Sequence, residues 1–198
     1  MWKAIVFDMD GTLIDSPLCF RTLRERLDIP EGAPILEHLA VLEPEERALK
    51  ERLLEEMEVD YAGGARLMEG VQEMLQAFRA VGVRVGIFTR NCKAATQRVL
   101  GAFDLPVEMV LTREDALPKP DPDGLLRFLE AWKLDPKEML FVGDFRFDIE
   151  CGRRAGVDTA FYADGAQEYD DFGADHVIAD YRVFAQQIAG PLLHRVSS

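Results

Sequence analysis

Short apolar runs alternate with amphipathic stretches along most of this chain. The run 3–7 (KAIVF) is β-rich and stops at Asp8, the pattern of a buried strand. Gly11 and Thr12 follow as a turn. Residues 17–27 read as a charged helix carrying Arg21, Arg24 and Arg26, broken by Pro30, Gly32 and Pro34. A short helix is expected over 35–42. Pro44 opens a third over 45–59, with Leu49, Leu53, Leu54 and Met57 on one apolar face. The Gly63-Gly64 pair closes this block. Beyond it the pattern changes. Helices are expected over 71–81, 94–100, 123–132, 149–155 and 183–188. Strands are expected over 83–88, 107–111, 138–142, 157–162 and 176–178.

Strands that alternate with helices imply parallel βαβ units, hence an α/β fold with a doubly wound parallel sheet. The block 16–68 shows no strand and reads as an all-helical cap domain inserted after the first strand. The catalytic core is then 1–15 plus 69–198. Such sheets bind ligands beyond the carboxyl ends of their strands, so the residues at those ends carry the functional question.

Composition narrows the answer. The 198 residues are 48% hydrophobic and 30% charged, ordinary for a globular protein. The formal net charge is −13. No basic stripe of the kind that grips a nucleic-acid backbone is present. No apolar run is long enough to span a membrane. Strand-like sequence begins at once, so no signal peptide is expected ahead of the fold. Three cysteines, Cys19, Cys92 and Cys151, lack metal-ligand spacing and pair poorly as a disulfide framework. A reduced, cytoplasmic protein is expected, monomer or homodimer.

The strand ends share one chemistry. The first gives Asp8-Met9-Asp10-Gly11-Thr12, the second Thr89-Arg90-Asn91, and the fourth Gly143-Asp144, followed by Asp148. Lys119 lies between Pro118 and Pro120 ahead of a helix. A parallel sheet gathers all four segments. Asp8, Asp10, Asp144 and Asp148 would crowd like charges and force protons onto some of them. A hard divalent cation with oxygen ligands, such as Mg²⁺, relieves that conflict. Lys119 adds a positive charge. Thr89 and backbone N–H groups can hold phosphate oxygens.

This set resembles the haloacid dehalogenase superfamily, and within it the phosphoglycolate phosphatase-like and β-phosphoglucomutase-like members with a small helical cap. DMDGTLIDS matches the first motif of that family in full, Thr89 the second, Lys119 the third, and the Asp144/Asp148 pair the fourth. The resemblance covers essentially the whole chain. It implies Asp8 as the nucleophile that forms a phosphoaspartyl intermediate. Asp10 is the implied acid and base. Mg²⁺ is held by the Asp8 carboxylate, the Asp10 carbonyl and Asp144. Asp148 supports the metal's waters and holds Lys119. Thr89 and Lys119 grip the transferring group, and Thr12 orients Asp10. Repulsion between a carboxylate and a phosphate is roughly 4 kcal/mol per unit-charge pair at about 4 Å and an effective dielectric of about 20. The metal and Lys119 offset it.

Arg90 departs from the family pattern, which has a small residue or Asn at that place. It is a candidate phosphate contact or the partner of a surface acid. Arg21 and Arg24 are either a solvated face or contacts to a second anionic group. His38, His176 and His194 receive no role. The implied reaction is Mg²⁺-dependent hydrolysis of a small phosphorylated metabolite, a phosphate monoester. A phosphomutase is the first alternative, because both reactions use the same core motifs. A dehalogenase is disfavoured by Asp10 and the Asp144/Asp148 pair. A non-catalytic binding module on the same fold is disfavoured because no catalytic residue is missing.

Overall fold

The computed structural model describes residues 1–17 and 19–196, with side chains through Gly190. In chain order the elements are β1 (Ala4–Phe7), β2 (Ile14–Asp15), α1 (Phe20–Leu27), α2 (Ile35–Ala40), α3 (Pro44–Ala62), β3 (Arg66–Leu67), α4 (Val71–Ala80), β4 (Arg84–Phe88) and α5 (Lys93–Ala102). Then come β5 (Met109–Leu111), α6 (Asp123–Trp132), β6 (Met139–Gly143), α7 (Arg146–Ala155), β7 (Asp158–Tyr162), β8 (His176–Ile178) and α8 (Tyr181–Val196). Six strands form one sheet in the order β5-β4-β1-β6-β7-β8. Every pairing in it is parallel. The expected α/β doubly wound sheet is therefore present.

The chain divides into two compact units. The first comprises Met1–Asp15, Arg66–Arg90 and Asp104–Ser198, and contains the sheet. Its central strands β1 and β6 are buried along their whole length, as continuous apolar runs in parallel sheets are. Alternate residues face opposite layers. Ala4, Val6, Phe88 and Phe141 pack with Leu125, Phe128 and Trp132 of α6 and Cys151 and Ala155 of α7. On the other face Phe7 meets Tyr181 edge-on at 6.3 Å, and Phe78 of α4 meets Phe184 of α8 at 5.6 Å. Such aromatic pairs add to the area they bury.

The second unit comprises Ser16–Ala65 and Asn91–Phe103. Its core joins Leu23 and Leu27 of α1, Ile35 and Leu39 of α2, and Leu54 and Met57 of α3. The buried Glu58 of α3 accepts a hydrogen bond from the Cys92 N–H at 3.0 Å, at the start of α5. A carboxylate there satisfies an otherwise orphaned helix donor and meets the positive end of the dipole.

Four expectations change. The block 16–68 was expected without a strand, yet β3 pairs antiparallel with β2, Ile14 opposite Leu67. Two-residue strands are too short to leave a periodic signal. Leu49 was placed on the apolar face of α3 but is 61% exposed, because the helix buries only its second half, from Leu54 on. The first helix, expected from residue 17, begins at Phe20; Leu18 lies outside the described residues, as do the side chain and surroundings of His194. The last helix begins at Tyr181 rather than 183. Asp180 Oδ1 accepts the Arg182 and Val183 N–H groups at 2.6 and 3.2 Å, an N-cap that the apolar pattern alone does not register.

Candidate active site

Asp8, Thr89 and Asp144 each follow directly on a strand, Asp148 lies in the first turn of α7, and Lys119 lies in the loop between β5 and α6. Asp8 succeeds β1, and its N–H extends the ladder to the Val142 carbonyl at 2.8 Å. Met9 is buried at 1% exposure, while Asp8 and Asp10 on either side of it are half-buried. The chain then turns sharply, with the Leu13 and Ile14 N–H groups donating to the Met9 carbonyl at 2.8 and 3.0 Å. Gly11 makes that turn at φ +74°, and a Cβ there would stand 2.3 Å from Asp144 Oδ2. Only glycine satisfies both the backbone and the carboxylate it faces. Gly143, at the end of β6, is held to glycine by space alone: a Cβ would meet Asp148 at 2.3 Å.

Lys119 is the centre of the charge arrangement. It is 1% exposed, and its Nζ lies 2.5 Å from Asp8 Oδ1 and 2.6 Å from Asp148 Oδ1. Burial works to lower the lysine pKa, but Asp148 and Asp8 outweigh it and hold the pKa above its ordinary value. The ammonium stays charged. Asp148 uses its other oxygen to accept the Phe145 N–H at 3.0 Å at the start of α7. Thr12, expected to orient Asp10, donates its hydroxyl to Asp144 Oδ1 at 3.0 Å. Tyr181 donates to the Thr12 carbonyl at 2.9 Å.

The carboxylates remain over-charged despite Lys119. Oxygens of Asp8, Asp144 and Asp148 lie within 4.8 Å of one another. Burial raises Asp8 well above the usual carboxylate range against the pull of Lys119, and Asp148 and Asp144 add to the rise. Burial and, after it, the charge of Asp148 push Asp144 up to about 6, against the Thr12 bond and Lys119. An all-oxygen donor set with surplus negative charge is the chemistry that a hard divalent cation satisfies, so these residues fit Mg²⁺.

Thr89 follows β4 with its N–H on the Leu111 carbonyl at 3.0 Å, and is 1% exposed. Arg90 donates to the Lys119 carbonyl and lies over the Phe147 ring, 4.7 Å from its centroid. Arg146 lies over the same ring at 5.0 Å. Gly143, Phe147 and Tyr181 shape the site. Gly143 was read from sequence with Asp144 but given no role, and Phe147 and Tyr181 were assigned none either. The ring contacts and the Tyr181 bond are long-range and leave no local mark.

Asp8, Asp144 and Asp148 are thus gathered beyond the carboxyl ends of parallel strands around the buried Lys119, as an acid-rich centre. The chain belongs to the haloacid dehalogenase-like hydrolases: the model of that family matches residues 2–156. It is 30% identical over 207 residues to an N-acetylmuramic acid 6-phosphate phosphatase of Pseudomonas aeruginosa, covering 90% of this chain and 91% of that one. It is 30% identical to a phosphoglycolate phosphatase of Thiobacillus denitrificans, covering 78% and 80%. A solved haloacid dehalogenase-superfamily hydrolase of subfamily IA from Geobacter sulfurreducens superposes with a TM-score of 0.68 at 25% identity, covering 94% and 96%. The chain is thus a hydrolase of this family, and relatives named as phosphatases support the phosphatase class of reaction. Among the described residues no helix is long and apolar enough to cross a membrane.

Proposed function

We propose that this hydrolase cleaves a small organic phosphate monoester through a phosphoaspartyl intermediate on Asp8, with Mg²⁺ as cofactor. The observation that carries the reading is Lys119, buried and in contact with Asp8 Oδ1. A fixed cation beside a carboxylate is what lets that carboxylate approach a dianion. Asp8 attacks phosphorus, the ester P–O bond breaks, and Asp10 gives its proton to the leaving oxygen. Water then attacks the same phosphorus and passes a proton to Asp10. The bond to Asp8 breaks and inorganic phosphate leaves.

Thr89 and Lys119 hold the equatorial oxygens, with Arg90 close behind through its bond to the Lys119 carbonyl. The Asp8 and Asp144 carboxylates and the Asp10 carbonyl would hold Mg²⁺. When bound, it supplies charge neutralisation at the phosphoryl oxygens. Asp148 keeps Lys119 in place. The helical block after β2 serves as the cap that selects the substrate, and the phosphorylated metabolite is the partner of the site. The three cysteines, all free, agree with a reducing, cytoplasmic setting. Relatives named as phosphatases favour water over a sugar hydroxyl as the acceptor.

Phosphate release from a broad panel of monoesters, with and without Mg²⁺, tests the reading. Turnover that requires Mg²⁺ is expected for one or a few compounds. Turnover undiminished in excess chelator would contradict it.

A further inference from the structure

We propose that Tyr181 is a positioning residue for this site, acting through the Thr12 peptide on Asp144. Tyr181 opens α8 and is 1% exposed. Its hydroxyl donates to the Thr12 carbonyl at 2.9 Å, and the Thr12 hydroxyl donates to Asp144 Oδ1 at 3.0 Å. One residue therefore links the last helix to a carboxylate of the cation-binding set. The tyrosine is itself held on three sides. Its ring stacks on Tyr162 at 4.3 Å and 7°, and meets Phe7, the residue before Asp8, edge-on at 6.3 Å. Asp180 caps the helix at its first turn. Gly11 provides no side chain to brace the turn from the other end, because none fits against Asp144. The Tyr181 bond takes that role.

Tyr181 lies beyond the 2–156 segment that the family model matches. The bracing thus comes from the C-terminal helix, outside that segment. A glycine-bearing turn loosened at one carbonyl would let Thr12 and Asp144 drift. Small displacements of ligating groups cost metal affinity, about tenfold to a hundredfold when an outer partner is lost. The inference rests on the proposed Mg²⁺-dependent reading for its ligand.

The test is Tyr181→Phe, which keeps the ring and its stacking and removes only the hydroxyl. Calorimetric titration of the metal-free protein with MgCl₂ is expected to show affinity weakened about tenfold. The Mg²⁺ concentration that half-saturates phosphate release rises by the same factor, while KM for the ester at saturating Mg²⁺ stays within about twofold of wild type. Tyr162→Phe removes a hydroxyl bonded to Asp164 at 3.0 Å instead, and leaves Mg²⁺ affinity unchanged. Thr12→Val alone weakens Mg²⁺ binding, and adding it to Tyr181→Phe produces less than the product of the two effects, since both act through one peptide. Unchanged Mg²⁺ affinity in Tyr181→Phe, or an equal loss in Tyr162→Phe, overturns the proposal. A wild type that binds Mg²⁺ but releases no phosphate would refute the phosphohydrolase reading and leave the calorimetric comparison decisive. A wild type that binds no Mg²⁺ overturns both.

Discussion

Phe7 and Asp8 are neighbours in sequence and opposites in environment. Phe7 is fully buried, packed edge-on against Tyr181. Asp8 begins the edge where charge is collected, with Lys119 against it and two further carboxylates close by. The same change occurs between Val142 and Asp144 on the next strand. Inside the sheet, burial removes apolar surface from water and stabilises the fold. One residue beyond it, burial raises the pKa of Asp8 and Asp144 and works against their charged forms. The strands therefore hold together a site that, without a cation, opposes folding. Proteins commonly accept such a cost where chemistry is done.

The comparison breaks most sharply at Asp8. Asp8→Asn should lower phosphate release by more than about a thousandfold, the scale of losing a covalent nucleophile. It should leave the metal-free melting temperature equal or higher, because it removes a carboxylate that burial disfavours. Calorimetry and a phosphate-release assay check the two halves. Lys119→Met is next. It leaves two carboxylates without their partner and should cost about 3–5 kcal/mol in urea unfolding at pH 7.5. Less should be lost at pH 5, where the Asp8 carboxyl, already held above the usual range by burial, takes up a proton instead. Phe128→Ala, in the apolar layer beneath β4, should cost about 3–5 kcal/mol as well. That loss should be the same at both pH values, with KM near wild type.

A smaller effect concerns pH itself. Asp144 titrates near 6 in the folded protein against an ordinary value of 3.8. Between these values the folded state holds a proton that the unfolded state has lost. Stability of the metal-free protein should then fall as pH rises across that window. Mg²⁺ competes with that proton. It should raise the melting temperature more at pH 7.5 than at pH 5. Smallest is Arg146→Ala, which removes an exposed cation over Phe147 and Phe145. About 0.5–1 kcal/mol is expected in unfolding experiments.

Much of this was legible from residue order. The strand ends at Asp8, Thr89 and Asp144 were visible because apolar runs stop there and polar residues begin. A parallel sheet converts that into one site. The long, strongly periodic element α6 matched its expected bounds. What was missed depended on the third dimension. β3 is two residues long and exists only because β2 lies opposite. Leu49 belongs to the periodic stripe of α3, yet the part of the helix it occupies buries nothing apolar. Thr12 was assigned to Asp10, its near neighbour, while its hydroxyl reaches Asp144, 132 residues away. Tyr181 was invisible for the same reason, since its contact with Thr12 spans 169 residues.

The most direct test of the central claim is to quench the wild-type protein in acid while it turns over a monoester labelled in its phosphate, and to map the label. The account predicts label on the peptide containing Asp8, removable by hydroxylamine and absent from Asp8→Asn. Phosphate release at full rate with no protein-bound label, or equal labelling of Asp8→Asn, would contradict it.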